Sequence, residues 1–179
     1  MQKLVSIIIP YFNDEKNIYN AIKSANKQNY KKREIIIIDD ENTINSKNIL
    51  KKIKSKIHKI KIFNTHGNQG VAIARNLGIK KSRGKFIAFL DSDDLWKKDK
   101  IKEQIKFIKK YKLDVCYTNY LAIKNNNKII YKVRSPKMIS YNTLLKECSI
   151  CCSSVVIKNE VLKKIKFKNL KTKEDYMLG

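Results

Sequence analysis

Three carboxylates stand together in the segment FIAFLDSDDLW, where Asp91, Asp93 and Asp94 directly follow a run of five apolar residues. Two carboxylates about 4 Å apart repel each other by roughly 4 kcal/mol at an effective dielectric constant near 20. A divalent cation offsets this repulsion, and Mg²⁺ or Mn²⁺ commonly binds one or two carboxylates together with substrate phosphates. The D-x-D spacing therefore predicts a cation that holds a diphosphate. The alternative is an acidic turn that is solvated or that caps the following helix through Asp94 or Asp99.

Two further segments carry residues suited to an anionic or nucleotide ligand. Asp39 and Asp40 follow another apolar run, and their oxygens could accept hydrogen bonds from a ribose or a base, with a turn cap as the alternative. In GNQGVAIARNLG, from Gly67 to Gly78, the glycines allow close backbone approach to a ligand. Arg75 in this segment suits a diphosphate or a stacked base. A structural ion pair between Arg75 and one of the aspartates is the alternative.

The elements that must position these residues alternate between strand and helix. Continuous apolar runs predict buried strands, and apolar residues spaced by three and four predict amphipathic helices. The strands are Leu4–Ile9, Ile35–Ile38, Ile60–Phe63 and Phe86–Leu90; the helices are Glu15–Gln28, Ser46–Ile57, Val71–Lys81 and Asp99–Tyr111. This order predicts parallel β-α-β units in an α/β fold. Because ligands bind at the carboxyl ends of such strands, the polar segments should share one edge of the sheet.

The regular alternation fades after residue 111. Two strands around a turn at 125–127 are predicted to pair in an antiparallel manner. A weak helix, a short strand and a short helix should follow. The corresponding segments are Val115–Ile123, Lys128–Val133, Ser140–Glu147, Ser153–Ile157 and Asn159–Lys164, with a further element opening at Glu174–Leu178.

The chain is strongly basic, with a formal net charge of +24 over 179 residues. Its length predicts one domain with a substantial core. Almost all of the basic residues are lysines scattered along the chain, which favours a solvated surface. An anionic phospholipid surface is the next interpretation. No nucleic-acid partner is predicted, because no recognition module is present. No apolar run reaches the roughly 20 residues of a membrane span, and no signal peptide is predicted.

The cysteines Cys148, Cys151 and Cys152 form a C-x-x-C-C cluster. Four ligands with a second pair nearby would be needed for zinc, and the sequence offers no such pair. The favoured interpretation is buried, reduced thiols in a cytoplasmic protein.

Four blocks of the sequence carry a family resemblance. VSIIIPYFNDEKNI, EIIIIDDENT, GNQGVAIARNLGIKKSRGKFIAFLDSDD and KEDYMLG occur in the order and spacing of the family 2 glycosyltransferases and span essentially the whole chain. The resemblance implies the GT-A fold, a Rossmann-like, mostly parallel sheet flanked by helices, with a small antiparallel C-terminal part. It also implies transfer of a sugar from a nucleotide-diphospho sugar, commonly a UDP-sugar, with inversion at the anomeric carbon.

The resemblance assigns the nucleotide pocket to five residues. Pro10 and Phe12 would border the nucleobase, and Asp40 would accept a hydrogen bond from the ring N–H of the base. Asn68 and Arg75 would complete the pocket.

The resemblance also assigns the catalytic centre. Asp91 would contact the ribose or the metal shell, Asp93 would ligate Mn²⁺ or Mg²⁺ directly, and Asp175 would be the general base. Two departures from the family pattern stand out: Glu41 replaces the usual small residue after the paired aspartates, and the chain ends four residues after Asp175.

These observations lead to a functional expectation. One domain, 1–179, would comprise a nucleotide-binding half, 1–97, and the start of an acceptor half, 98–179, which a longer protein would continue. The acceptor would be a surface polysaccharide, a lipooligosaccharide or a lipid-linked glycan, reached from the cytoplasm or the cytoplasmic face of the inner membrane. One alternative is a non-catalytic fragment that binds nucleotide sugars. Another is a haloacid-dehalogenase-type phosphohydrolase, whose D-x-D motif is similar to Asp91-Ser92-Asp93.

Overall fold

A computed structural model describes residues 1–124, 128–138 and 150–168 of the chain. The strands are β1 (Val5–Tyr11), β2 (Arg33–Asp39), β3 (Ile60–Asn64), β4 (Phe86–Phe89), β5 (Val115–Cys116), β6 (Tyr120–Ile123), β7 (Ile129–Val133) and β8 (Val156–Lys158). A six-stranded sheet has the order β3-β2-β1-β4-β8-β5, and β6 pairs with β7 in a separate two-stranded ribbon. The helices are α1 (Ile18–Asn26), α2 (Ile44–Lys56), α3 (Val71–Lys81), α4 (Lys100–Tyr111) and α5 (Asn159–Leu162), with a 3₁₀ turn at Cys152–Ser154.

The central strands are buried on both faces, as their continuous apolar runs predict. Ile7 and Ile9 of β1 pack into one core together with residues of α1, α2 and α4. Ile8, between them, points to the opposite face and packs with Ile36 and Ile38 of β2 and with the alanines of α3. Strands covered by helices on both faces lose the alternation of apolar and polar residues that a half-exposed strand shows.

The position of β1 in the sheet determines where a ligand can bind. β1 pairs in parallel with β2 on one side and with β4 on the other, and β2 continues the parallel order to β3. The chain therefore adds β2 and β3 on one side of β1 and then crosses to the other side, where it adds β4. Loops at the carboxyl ends of β1 and β4 diverge at such a point and leave a crevice.

The antiparallel C-terminal part differs from the sequence prediction in two places. The single strand predicted over Val115–Ile123 is wrong, because β5 joins the main sheet while β6 belongs to the ribbon with β7. The strand predicted over Ser153–Ile157 begins instead with the 3₁₀ turn, and β8 then pairs antiparallel to β4 and β5. The parallel portion and the small antiparallel portion of the prediction are both confirmed.

Several predicted features lie outside the described residues. These are the turn at 125–127, the helix over Ser140–Glu147, the element at Glu174–Leu178 and Cys148. Of the other two cysteines in the cluster, Cys152 is buried and Cys151 is partly exposed. In the described ranges, we find no helix with the length and apolar character needed to cross a bilayer.

Candidate functional site

A cleft of about 330 Å³ lies at the carboxyl ends of β1, β2 and β4, beside the beginning of α3. Every predicted site residue within the described part of the chain lines it: Pro10, Phe12, Asp40, Asn68, Arg75, Asp91 and Asp93. Residues up to 83 positions apart in the sequence thus meet at the crevice beside β1. Asp175 lies outside the described residues.

The paired aspartates after β2 have separate tasks. Asp39 is fully buried, and its carboxylate accepts hydrogen bonds from the N–H groups of Glu41 at 3.2 Å and Asn42 at 3.0 Å. It also accepts from the Ser46 hydroxyl at 2.8 Å, and Ser46 forms a capping box with Thr43 at the start of α2. Asp39 therefore caps the turn before α2, which was the alternative to a ligand contact for this residue.

Asp40 holds the loop that precedes α3. Its carboxylate accepts hydrogen bonds from the N–H of Gln69 at 3.0 Å, the N–H of Gly70 at 2.8 Å and the Thr65 hydroxyl. Only 3% of the residue is exposed. A carboxylate has about four lone-pair positions, so the hydrogen bonds from the described residues leave one acceptor position on Oδ2. The sequence predicted a ligand contact for Asp40 but not this role in fixing the loop.

The loop held by Asp40 adopts an unusual backbone conformation. Gly67, Asn68 and Gly70 have φ values of 87°, 45° and 92°, in the left-handed region that glycine and asparagine tolerate best. Asn68 also donates its N–H to the Asp40 carbonyl. This geometry brings Gly70 and Val71, at the N-terminus of α3, to the wall of the cleft. N–H groups at a helix N-terminus favour a negatively charged ligand.

Arg75 points from α3 toward the end of β4. Its Nη2 donates a hydrogen bond to Asp91 Oδ1 at 2.9 Å, and the side chain is almost fully buried. The guanidinium carbon lies 5.4 Å from the ring centroid of Phe167, a residue that the sequence did not indicate. The structural ion pair considered as an alternative is thus present. Because Arg75 also lines the cleft, the pair orients both side chains beside any bound ligand.

The acidic loop after β4 concentrates negative charge at the mouth of the cleft. Asp91 donates its N–H to the Ser153 hydroxyl at 2.9 Å, and Asp94 donates its N–H to the Asp91 carbonyl at 3.1 Å, so the loop is tightly folded. Burial raises the pKa of Asp94, and the charges of Asp91 and Asp93 raise it further, while a hydrogen bond with Ser153 opposes the change. Asp93 itself is exposed.

The helix-cap alternative holds for the position of Asp99 but not for a cap hydrogen bond from its side chain. Asp99 is the N-cap residue of α4 but makes no side-chain cap hydrogen bond, and its Oδ1 instead accepts from Asn29 Nδ2 at 2.7 Å. Within the ranges described, no group of three or more His, Cys, Asp or Glu side chains could enclose a metal. Two carboxylates, Asp91 and Asp93, on an open cleft suit a cation whose remaining ligands are phosphate oxygens and water.

Comparison with known proteins identifies the family. The sequence profile described as Glycosyl transferase family 2 matches residues 6–166. The chain belongs to glycosyltransferase family 2. This membership excludes the phosphohydrolase alternative, because the matched region includes the D-x-D motif on which that alternative depended.

Two bacterial relatives show how far the family match extends. One relative is the UDP-Glc:alpha-D-GlcNAc-diphosphoundecaprenol beta-1,3-glucosyltransferase WfgD of Escherichia coli, to which this chain is 40% identical over 175 residues. The alignment covers 98% of this chain and 68% of WfgD. It is 32% identical over 173 residues to the putative teichuronic acid biosynthesis glycosyltransferase TuaG of Bacillus subtilis, across 96% of this chain and 69% of TuaG.

A solved structure supports the fold. The crystal structure of S. aureus TarS 1–349 in complex with UDP-GlcNAc has a TM-score of 0.78 and 25% identity to this chain. The match covers 97% of this chain and 51% of the TarS chain, so the glycosyltransferase chain spans about half the length of that structure. The predicted GT-A fold is confirmed.

Proposed function

We propose that this family 2 glycosyltransferase moves a sugar from a UDP-sugar to a hydroxyl group of a lipid-linked or cell-envelope glycan. One observation carries the proposal: the predicted donor residues, drawn from three strand ends and one helix, line a single cleft beside β1. The names of similar proteins support the substrate class. WfgD is named for a UDP-Glc donor and a diphosphoundecaprenol-linked acceptor, and TarS has been crystallised with UDP-GlcNAc.

In this proposal the nucleobase lies between the ends of β1 and β2. Phe12 is 48% exposed at the cleft, so its ring is available to stack on a base, and Pro10 forms the adjoining wall. The acceptor position left on Asp40 Oδ2 would take the ring N–H of the base. Asn68 and Arg75 would then contact the ribose and the diphosphate.

The diphosphate would lie between the acidic loop and the N-terminus of α3. Asp93, with Asp91 beside it, would hold Mn²⁺ or Mg²⁺, which when bound neutralises charge on the leaving diphosphate. Arg75 fixes the orientation of Asp91 through their 2.9 Å ion pair. The exposed Asp93 carboxylate remains able to adjust to the cation.

Acceptor activation is assigned to Asp175 by family resemblance. Its carboxylate would take the proton from the acceptor hydroxyl as that oxygen attacks the anomeric carbon opposite the diphosphate. Base catalysis of this kind contributes about 10²–10⁴-fold to rate. A single displacement inverts the anomeric configuration.

We further propose that the protein works at the cytoplasmic face of the inner membrane through peripheral contact with anionic lipid. The net charge of +24 supports an anionic surface as partner. A second candidate function is nucleotide-sugar binding without transfer, because the predicted residues that line the cleft are those assigned to the donor.

Calorimetry tests the donor site. We expect UDP to bind in the presence of Mn²⁺ and the affinity to fall by about ten-fold or more in Asp93→Ala, as when metal sites lose supporting groups. Asp114→Ala is the matched control, because Asp114 is an exposed aspartate that pairs with Lys158 at the surface. Equal UDP binding with and without Mn²⁺, unaffected by Asp93→Ala, would refute the proposal. Release of free sugar from UDP-glucose, or its transfer, by the purified chain would separate the enzyme from the binding-only candidate.

A further inference from the structure

An apolar surface occurs on the two-stranded sheet of β6 and β7, far along the chain from the donor residues. Leu121, Ile123, Ile129, Ile130 and Tyr131 are each between 37% and 58% exposed. We call these five side chains the ribbon patch. Tyr131 pairs with Ala122 and so lies on the other face of the ribbon from Leu121 and Ile123. Single exposed apolar residues are common on soluble proteins, but five on one two-stranded element mark an interaction surface.

The ribbon patch is held in a defined orientation. The Tyr117 hydroxyl donates to the Pro136 carbonyl at 2.7 Å, and the Ser135 N–H donates to Asn119 Oδ1 at 2.9 Å. These two bonds tie the incoming and outgoing chains together where the ribbon leaves the rest of the protein. An isolated two-stranded hairpin is only marginally stable in water, so the ties give the patch a fixed base.

The strand β7 is open to solvent on both faces. Its four consecutive residues Ile129, Ile130, Tyr131 and Lys132 are all exposed. Ala122 pairs with Tyr131 and Ile123 pairs with Ile129, so Ile130 is an extra residue that forms a β-bulge. A bulge bends its strand locally.

The charge around the ribbon patch has a single sign. Residues 115–138 contain Lys124, Lys128, Lys132, Arg134 and Lys137 but no aspartate or glutamate. Lys124 and Lys128 meet at the far end of the ribbon, where the N–H of Lys124 donates to the carbonyl of Lys128 at 2.9 Å. Residues 42–90 also lack aspartate and glutamate, so the ribbon is distinguished by bases that lie beside a group of exposed apolar side chains.

We propose that the ribbon patch and its five flanking bases dock onto the surface of an anionic lipid bilayer. The apolar side chains would enter the headgroup region while the bases meet lipid phosphates, the combination that holds interfacial elements at membranes. A second copy of the chain is a poorer partner, because a two-fold contact would bring two positively charged ribbons together. The inference rests on the proposed function, because a lipid-linked acceptor in the membrane is the reason for the protein to dock there. The docking itself can be measured without any sugar transfer.

Vesicle sedimentation of the whole chain tests the apolar part. We expect binding to phosphatidylglycerol-containing vesicles and much weaker binding to pure phosphatidylcholine vesicles. Ile129→Ser/Ile130→Ser should lower the vesicle affinity several-fold. The matched control is Phe107→Ser/Tyr111→Ser, which removes two side chains that are 49% and 52% exposed on α4. Equal losses in the two double variants would overturn the proposal.

A pair of charge variants tests the basic part. Each base near an anionic bilayer strengthens binding by about five-fold, so Lys124→Gln/Lys128→Gln should weaken binding by roughly 25-fold. Lys51→Gln/Lys52→Gln removes the same charge from the exposed face of α2 and should have little effect. If both pairs weaken binding equally, attraction is a property of the total charge and the assignment to the ribbon fails.

Two further measurements show whether something other than lipid covers the ribbon patch. In Ile130→Trp, the emission of the added indole is taken as the difference from the wild type, which contains the buried Trp96. This difference emission should be that of a water-exposed group until anionic vesicles are added and should then shift to shorter wavelength. A blue-shifted difference emission before vesicles are added would show that another segment or another copy covers the patch, and would overturn the proposal. The ribbon variants should bind UDP and Mn²⁺ as the wild type does, which shows that they are folded. If the wild type binds anionic vesicles but does not bind UDP, the proposed function is refuted and the docking proposal stands.

Discussion

Replacing Asp40 by asparagine should destabilise the protein as well as weaken donor binding. The Asp40 carboxylate accepts hydrogen bonds from the N–H of Gln69 at 3.0 Å, the N–H of Gly70 at 2.8 Å and the Thr65 hydroxyl, in a nearly water-free position. An asparagine amide has one oxygen and one NH₂ group, so it cannot accept at both ends. Asp40→Asn therefore removes the contact that shapes the loop before α3.

The size of the effect follows from the two possible orientations of the amide. With its oxygen toward Gln69 and Thr65, the NH₂ group faces the N–H of Gly70; with its oxygen toward Gly70, the NH₂ group faces the N–H of Gln69. Either orientation loses one hydrogen bond to a charged acceptor and leaves one backbone donor unpaired. Each such bond contributes about 1.5–3 kcal/mol, and an unsatisfied buried donor costs about 1–3 kcal/mol. The two contributions together lead us to expect the free energy of unfolding to fall by about 2.5–6 kcal/mol.

Urea denaturation at pH 7 measures this loss, and Asp93→Asn is the control. Asp93 is exposed, so its substitution should change the free energy of unfolding by no more than about 0.5 kcal/mol while still weakening binding of UDP with Mn²⁺. If Asp40→Asn were as stable as the wild type and lost only UDP affinity, Asp40 would serve the ligand and not the loop. Its role in fixing the loop before α3 would then be refuted.

Three other substitutions test the fold by urea denaturation. Among the described residues, the buried Tyr11 hydroxyl has no hydrogen-bond partner. Tyr11→Phe should therefore leave the free energy of unfolding unchanged or raise it by about 1 kcal/mol. A clear decrease in the free energy of unfolding would contradict this expectation. Gly78→Ala should destabilise by about 1–3 kcal/mol, because the new Cβ would lie 2.4 Å from Ile8 Cγ2, and a neutral result would contradict the close contact of α3 with β1. Burial lowers the pKa of Lys100 from 10.5 to about 7. Between about pH 7 and pH 10.5 the unfolded chain therefore binds more protons than the folded one. Across this window wild-type stability should rise with pH by up to about 1.4 kcal/mol per unit relative to Lys100→Met, whereas equal pH slopes would contradict the shift.

The parallel part of the fold could be predicted from the sequence because its physical signal is local. The runs that become β1, β2 and β4 are continuous and apolar, and only burial on both faces accommodates such runs. Once the strands are known to be parallel, their carboxyl ends must share an edge. The convergence of Asp40, Arg75 and Asp91 on one cleft follows from this topology.

The parts that the sequence did not predict depend on contacts between distant residues. The segment Val115–Ile123 has the composition of one strand, and it divides because side chains at 117 and 119 bind the chain near residue 135. The packing of Phe167 on Arg75 joins positions 92 residues apart and has no local signature. The separate tasks of Asp39 and Asp40 depend on which loop each side chain faces, which adjacent identical residues cannot reveal.

The aspartates around the cleft differ in how far fixed protein groups engage them and in whether they face the cleft. Asp39 and Asp40 each accept three hydrogen bonds from the protein, but only Asp40 lines the cleft. Asp91 pairs with Arg75, and Asp93 is exposed. A carboxylate satisfied by fixed protein donors has little left to give a cation, whereas an exposed one can change partner at small cost. Substitutions should therefore shift from harming folding to harming ligand binding in the order Asp39, Asp40, Asp91 and Asp93. The side chain least important for stability in this series is the one best able to serve as the metal ligand.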